Sequence, residues 1–252
     1  MTRLYHPDTL YEGHVLTLND AQSHYLRHVL RATLGHKLFL FNENDGEWSA
    51  SLTTLSKATT CVTVAAQIRP AISSPVVSLL FAPLKHDPLS FLIEKATELG
   101  VRQFYPVVTE RCNVSRVNTE RLKSNVIAAA QQCERFDIPT IYPVGTLRKA
   151  LESWETPIPL FVCQERGEVP SLKDAFYSLT PRSPAGFLIG PEGGFAPSEL
   201  AYLKSFSFTH FISLGPRILR AETAALAAIA CYQALVGDWE DVSMVISPLG
   251  EA

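Results

Sequence analysis

The sequence predicts a mainly parallel α/β domain preceded by a small β-barrel, and three observations carry that prediction. Short β-rich pieces fill the first 70 residues; RPAISSP at 69–75 crowds two prolines and two serines together; beyond it, strands alternate with helices to the end of the 252-residue chain. The division this implies is 1–70 for the barrel and 71–252 for the α/β domain.

In the first region HVLTL (14–18), KLFLFN (37–42), EWSASL (47–52) and CVTVAAQI (61–68) have the short, β-rich character of strands. Asp45-Gly46, between the second and third, is a hairpin signal, because the turn needs backbone that glycine adopts without strain. One helix interrupts the strands. In DAQSHYLRHVLR (20–31), Leu26, Val29 and Leu30 form an apolar stripe, and His24, Arg27, His28 and Arg31 cover the remaining surface. A β-barrel with one helix accounts for this pattern.

In the second region the strand candidates are VVSLLFAP (76–83), VRQFYPVV (101–108), PTIYPV (139–144), PLFVC (159–163), GFLIG (186–190) and THFISLG (209–215). Asp87 is placed to cap a helix with Pro88 in its first turn and Gly100 at its end. Asn118 opens the next, in which Leu122, Val126, Ala129 and Cys133 recur at helical spacing, and Thr146 opens a third. Strands alternating with helices imply a parallel sheet covered on both faces.

The composition narrows the function classes. A composition of 46% hydrophobic and 19% charged residues, with a mean hydropathy of +0.08, argues against disorder on the scale of a domain. A net charge of −3 argues against a protein that coats nucleic acid indiscriminately, and leaves a local basic face open. Cys61, Cys112, Cys133, Cys163 and Cys231 stand singly, without a CxxC pair or a histidine at ligand spacing. That pattern suits reduced thiols in the cytoplasm and predicts no metal. MTRLYHPDTLYEGH lacks the apolar core of a secretory signal, and AALAAIACYQALV (224–236) is too short to span a bilayer, so no membrane partner is expected. We read that run as a buried helix.

Two loops carry the chemistry. LIGPEGGFAPSEL (188–200) follows one predicted strand and SLGPRILRAETAAL (213–226) the next, so both belong at the carboxyl edge of the sheet, where ligands of open α/β sheets bind. Neither is a phosphate cradle of the familiar kinds: no lysine follows the glycines, and the dinucleotide spacing is absent. Gly-Pro in each loop can simply turn the chain. Two such loops beside Arg217, Arg220 and Glu222 instead suggest a floor of accessible main-chain groups that reads a planar heterocycle.

GPEGGF and LGPRILRAETA, with KATELGV (95–101), TERCNVSR (109–116), AAAQQCERFDIP (128–139) and the N-terminal SHYLRHVLRATLGHKLFLFNENDGEW, resemble the ribosomal small-subunit RNA methyltransferase E family in order along nearly the whole chain. The resemblance implies a PUA-like RNA-binding barrel followed by a SPOUT-type α/β trefoil-knot methyltransferase domain. It further implies methylation of N3 of a uridine in 16S ribosomal RNA with S-adenosylmethionine, by a homodimer acting on the small subunit. Ribose 2′-O methylation by the same fold, or a non-catalytic RNA-binding assembly factor, are the alternatives.

On the matching positions, the resemblance places the cofactor between Leu188, Gly190, Glu192, Gly193 and Gly194 on one side and Leu214, Gly215, Ile218, Leu219, Thr223 and Ala224 on the other. Glu192 either braces its loop or touches cofactor or base. Arg220 is the expected catalytic residue, with Glu222 orienting it or capping the following helix. RNA contacts are expected from Arg27 and Arg31 on the barrel and from Lys85, Arg111, Arg116 and Arg135 in the second region. LKHDPL (84–89) departs from the family, in which a glycine and a basic residue commonly follow the lysine. Ala228, on the small-residue helix, is a candidate for the dimer surface.

Overall fold

The computed structural model describes residues 2–112, 114, 116–155, 157–165 and 168–240. Contacts divide the chain into two compact units, residues 1–73 with 130–138 and residues 74–129 with 139–252. A single cut near residue 70 makes no provision for the 130–138 segment, whose grouping rests on interactions distant in sequence.

In the first unit, β1 (Arg3–Tyr5), β2 (Val15–Thr17), α1 (Asp20–His24), a π-helical turn (Tyr25–Val29), β3 (Lys37–Asn42), β4 (Gly46–Leu55) and β5 (Thr60–Arg69) follow in order. The sheet runs β1-β3-β4-β5-β2, with β1 parallel to β3 and the other pairs antiparallel. Leu4, Leu16, Leu26, Leu38, Leu40, Leu52, Val62 and Val64 fill its interior. The β3–β4 hairpin forms where expected. Asn42 Oδ1 accepts from the N–H of Asn44 at 3.0 Å and of Asp45 at 2.7 Å. Gly46 is left-handed at φ +76°, and a Cβ there would fall 2.2 Å from the Arg69 carbonyl oxygen.

The predicted helix over 20–31 is not one regular helix. Asn19 and Gln22 form a reciprocal cap on α1, after which Leu30 N–H reaches back five residues to the Tyr25 carbonyl at 3.0 Å. Wider winding breaks the expected stripe: Leu26 is fully buried, Leu30 half-buried, and Val29 is 61% exposed.

A buried ionic cluster attaches residues 130–138 to this unit. Glu47, wholly buried, accepts from Arg3 Nε at 2.6 Å and Arg69 Nε at 2.7 Å. Arg3 also donates to the carbonyls of Ala130, Glu134 and Arg135 and lies 3.4 Å above the Phe41 ring. Burial pulls the Arg3 guanidinium below its ordinary value against the opposing pull of Glu47. Arg69 is also desolvated, but Glu47 and Glu134 together outweigh that cost and raise it.

The second unit contains β6 (Val77–Phe81), α2 (His86–Glu98), β7 (Gln103–Val108), α3 (Thr119–Gln132), β8 (Thr140–Ile141), β9 (Gly145–Thr146), α4 (Leu147–Glu152), β10 (Leu160–Cys163), α5 (Leu172–Phe176), β11 (Ala185–Ile189), α6 (Pro197–Lys204), β12 (Thr209–Ile212) and α7 (Ala221–Leu235). The last residues of α3 group with the first unit. The strands are parallel in the order β12-β10-β11-β6-β7-β8, with β9 paired to β7. β6 and β11, in the interior of the sheet, are buried along their whole length, as strands covered on both faces must be.

Helix ends explain most boundaries. Thr146 and Asn118 accept from backbone N–H groups three residues on, as N-caps do. Gly100, at φ +93°, follows the end of α2. Asp87 is not the cap: Lys85 occupies that position without a side-chain bond, and Asp87 lies in the first turn, where its negative charge favours the helix. α7 is the buried helix expected from 224–236, with Ala225, Ala228, Ile229, Tyr232 and Gln233 inside. Ala228, expected at a dimer surface, instead packs inside the unit and is fully buried. Burial pushes the Tyr232 hydroxyl up to about 12, assisted by Asp238, and that hydroxyl donates to the Ser183 carbonyl.

Candidate active site

The carboxyl ends of β11, β10 and β12 lie side by side, and beyond them opens a cavity of about 650 Å³. The two Gly-Pro loops line this one cavity although their strands are not paired, because β10 lies between β11 and β12. Cys163, Gln164 and Glu165 at its end consequently form a third wall. No loop motif marks these residues, and only the strand order reveals them.

Main-chain shape dominates the pocket. Gly194 N–H returns to the Pro191 carbonyl at 2.8 Å, closing a turn with Gly194 at φ +66°. On the opposite loop Gly215 stands at φ +100°, its N–H donating to Ser213 Oγ at 3.2 Å. No atom lies within 4 Å of where a Cβ would project from either glycine. These positions combine backbone that other residues adopt only with strain and open space that a ligand can enter.

All the expected cofactor residues line the cavity except Leu188 and Thr223. Leu188 is buried in β11, where its side chain belongs to the core with Leu80, Val162 and Leu203. Thr223 is exposed on α7, off the cavity wall. Arg220 lines the cavity from the N-cap position of α7 and is exposed, with no side-chain partner among the described residues. Arg217 joins it there. Glu222 does not line the cavity and shows no ion pair with Arg220 among the described residues; it lies in the first turn of α7, where a carboxylate favours the helix.

The brace of the glycine loop is Glu199, a residue of the 188–200 stretch to which the sequence assigns no role. Its buried carboxylate accepts from Ala196 N–H at 2.9 Å and from Glu110 N–H at 2.8 Å. Glu192 is left exposed at the cavity. Arg111 Nη1 donates to the Gly193 carbonyl at 2.9 Å. Desolvation pushes the Cys163 thiol up to about 12, so it stays neutral near pH 7 and cannot serve as a thiolate nucleophile.

The other expected RNA contacts separate into exposed and engaged cations. Arg31, Lys85 and Arg116 are exposed. Arg27 is half-buried and donates to the Ser56 carbonyl and, at 3.1 Å, to Thr60 Oγ1. Arg135 is a correction: its side chain is 9% exposed and is held by both carboxylate oxygens of Asp137, which leaves little of it for a phosphate. The side chain of His86 lies outside the described residues.

The family model for the RNA methyltransferase domain matches residues 73–233, and that for the RNA methyltransferase PUA domain matches residues 18–62. The Rickettsia conorii ribosomal RNA small subunit methyltransferase E is 35% identical, over 96% of this chain and 98% of that protein. The chain belongs to the ribosomal RNA small subunit methyltransferase E family. A crystal structure of the methyltransferase E of Neisseria gonorrhoeae bound to S-adenosyl methionine superposes with a TM-score of 0.86 at 30% identity, covering 95% of this chain and 99% of that one. A Legionella pneumophila methyltransferase in complex with the same cofactor gives 0.84 at 30% identity, covering 94% and 99%. Family membership extends across both units, because the two models fall on either side of residue 70.

Proposed function

We propose that this chain is an S-adenosylmethionine-dependent methyltransferase acting on N3 of a uridine in the 16S ribosomal RNA of the small subunit. The observation that carries the reading is the cavity at three parallel strand ends, walled by two glycine loops in a chain of this family. Its residues suit a nucleoside-bearing donor. Gly194 and Gly215 leave room for the adenosine, Leu214, Ile218 and Leu219 offer apolar surface to the purine, and main-chain groups of both loops meet its polar edge.

When bound, the cofactor supplies a methyl group already activated on sulfonium sulfur. The chain must then align the target nitrogen and stabilise the charge that develops as N3 loses its proton to solvent. Arg220, permanently cationic and without a side-chain partner among the described residues, is the residue we assign to that charge. Arg31, Lys85, Arg111 and Arg116 remain as phosphate contacts on their respective units. We also assign to the chain the homodimer, the trefoil knot and recognition within an assembled subunit that the resemblance implies.

Calorimetry with S-adenosylmethionine is expected to show one site per chain. Mass spectrometry of ribosomal RNA from a deletion strain is expected to lack one base-methylated uridine, restored by the wild-type chain. A lost ribose methyl in its place would move the reaction to the sugar, and an empty titration would remove the enzymatic reading.

A further inference from the structure

Glu199 sits on α6, just past the glycines of the 188–200 stretch and off the cavity lining, and it is only 8% exposed. A buried carboxylate is costly unless its oxygens are occupied, and both of these are. One accepts from Ala196 N–H on the far side of the glycine loop, the other from Glu110 N–H in the turn that follows β7. Ser198 Oγ adds a bond of 2.6 Å to the Glu110 carboxylate. The next residue, Arg111, crosses to the Gly193 carbonyl at 2.9 Å, and a Cβ at Gly193 would stand 3.5 Å from Arg111 Cβ. Two loops separated by about 80 residues of chain are thus joined at both ends of one short span, with Arg111 between them at the cavity.

We propose that Glu199 is a positioning residue for methyl transfer. By fixing the Glu110–Arg111 turn against the glycine loop, it holds the Arg111 guanidinium where it supports Gly193 with one N–H and keeps its other donors for the RNA backbone. This rests on the function proposed above. Arg111 has five N–H donors and uses one in the bond to Gly193, so the same side chain can serve cofactor loop and phosphate together. In Glu199→Gln an amide NH2 replaces one acceptor and faces a backbone N–H, so one of the two ties is lost while the side-chain volume is kept.

The test is a double-mutant cycle with Glu199→Gln and Arg111→Ala, assayed on small subunits from the deletion strain. Each single variant is expected to raise KM for the subunit about tenfold with little change in kcat, and the double variant to be no worse than Arg111→Ala alone. Multiplicative losses, or an unchanged KM in Glu199→Gln, would overturn the proposal. If Glu199→Gln does not fold, Glu199→Asp, which keeps the charge but shortens the reach, takes its place in the cycle with the same two outcomes. A wild-type chain that neither binds S-adenosylmethionine nor methylates would indict the functional assignment; normal wild-type activity with an additive cycle would indict Glu199 alone.

Discussion

In the barrel unit Glu47 is wholly buried between Arg3 and Arg69, and the cluster joins chain segments far apart in sequence. At the cavity of the α/β unit Arg217 and Arg220 are exposed and have no side-chain partner among the described residues. The same residue type holds structure in one place and is left available in the other. Paired, desolvated guanidinium is structural and expensive to disturb; unpaired guanidinium at a concave edge is what an anionic substrate needs. Arg135 and Arg220 show the consequence. Both are arginines in regions that resemble the family, yet only the partners seen in three dimensions separate them.

The largest effect should come from breaking the structural side of that contrast. Glu47→Ala removes the buried carboxylate that two guanidinium groups share and is expected to cost about 3–5 kcal/mol in a denaturant melt. S-adenosylmethionine affinity at folding conditions should be unchanged; a loss there would blur the distinction. Next, Arg220→Ala should lower kcat about 100-fold or more while calorimetry leaves the cofactor Kd within about twofold. Equal losses in both would return Arg220 to structure.

Gly215→Val tests the main-chain reading of the pocket. A β-branched residue at φ +100° carries about 1–3 kcal/mol of strain and projects into open cavity space, so cofactor affinity should fall about tenfold or more. The smallest effect concerns Cys163. Its thiol rises from an ordinary 9.0 to about 12 in the folded chain, so its neutral form contributes stability below pH 9 that is lost as pH climbs toward 12. Cys163→Ala should flatten the fall in stability across that alkaline window and leave methyl transfer at pH 7.5 intact.

Much of the fold was legible where local chemistry and tertiary structure agree. Asp45-Gly46 turned the hairpin, Gly100 followed the end of α2, and Asn118 and Thr146 opened their helices, because each need is set by backbone geometry within a few residues. The helix over 20–31 was misjudged because a π-helical turn changes which side chains share a face, and no α-helical periodicity encodes it. Short β1, β9, α5 and α6 carried too few residues for a pattern. At the site, glycine loops announced themselves through residue type, whereas the wall from β10 and the brace from Glu199 did not.

By itself the sequence determined the two-part organisation, the glycine-bearing loops and the kind of ligand their backbone suits, since turn residues and periodic apolar faces act over short stretches of chain. Only the tertiary structure decided that β10 lies between the strands that lead into those loops, that Arg135 is held by Asp137 while Arg220 stays available, and that Glu199 closes the span behind Arg111. Strand order and charge pairing depend on which distant segments meet, and that is settled by burying the whole core at once.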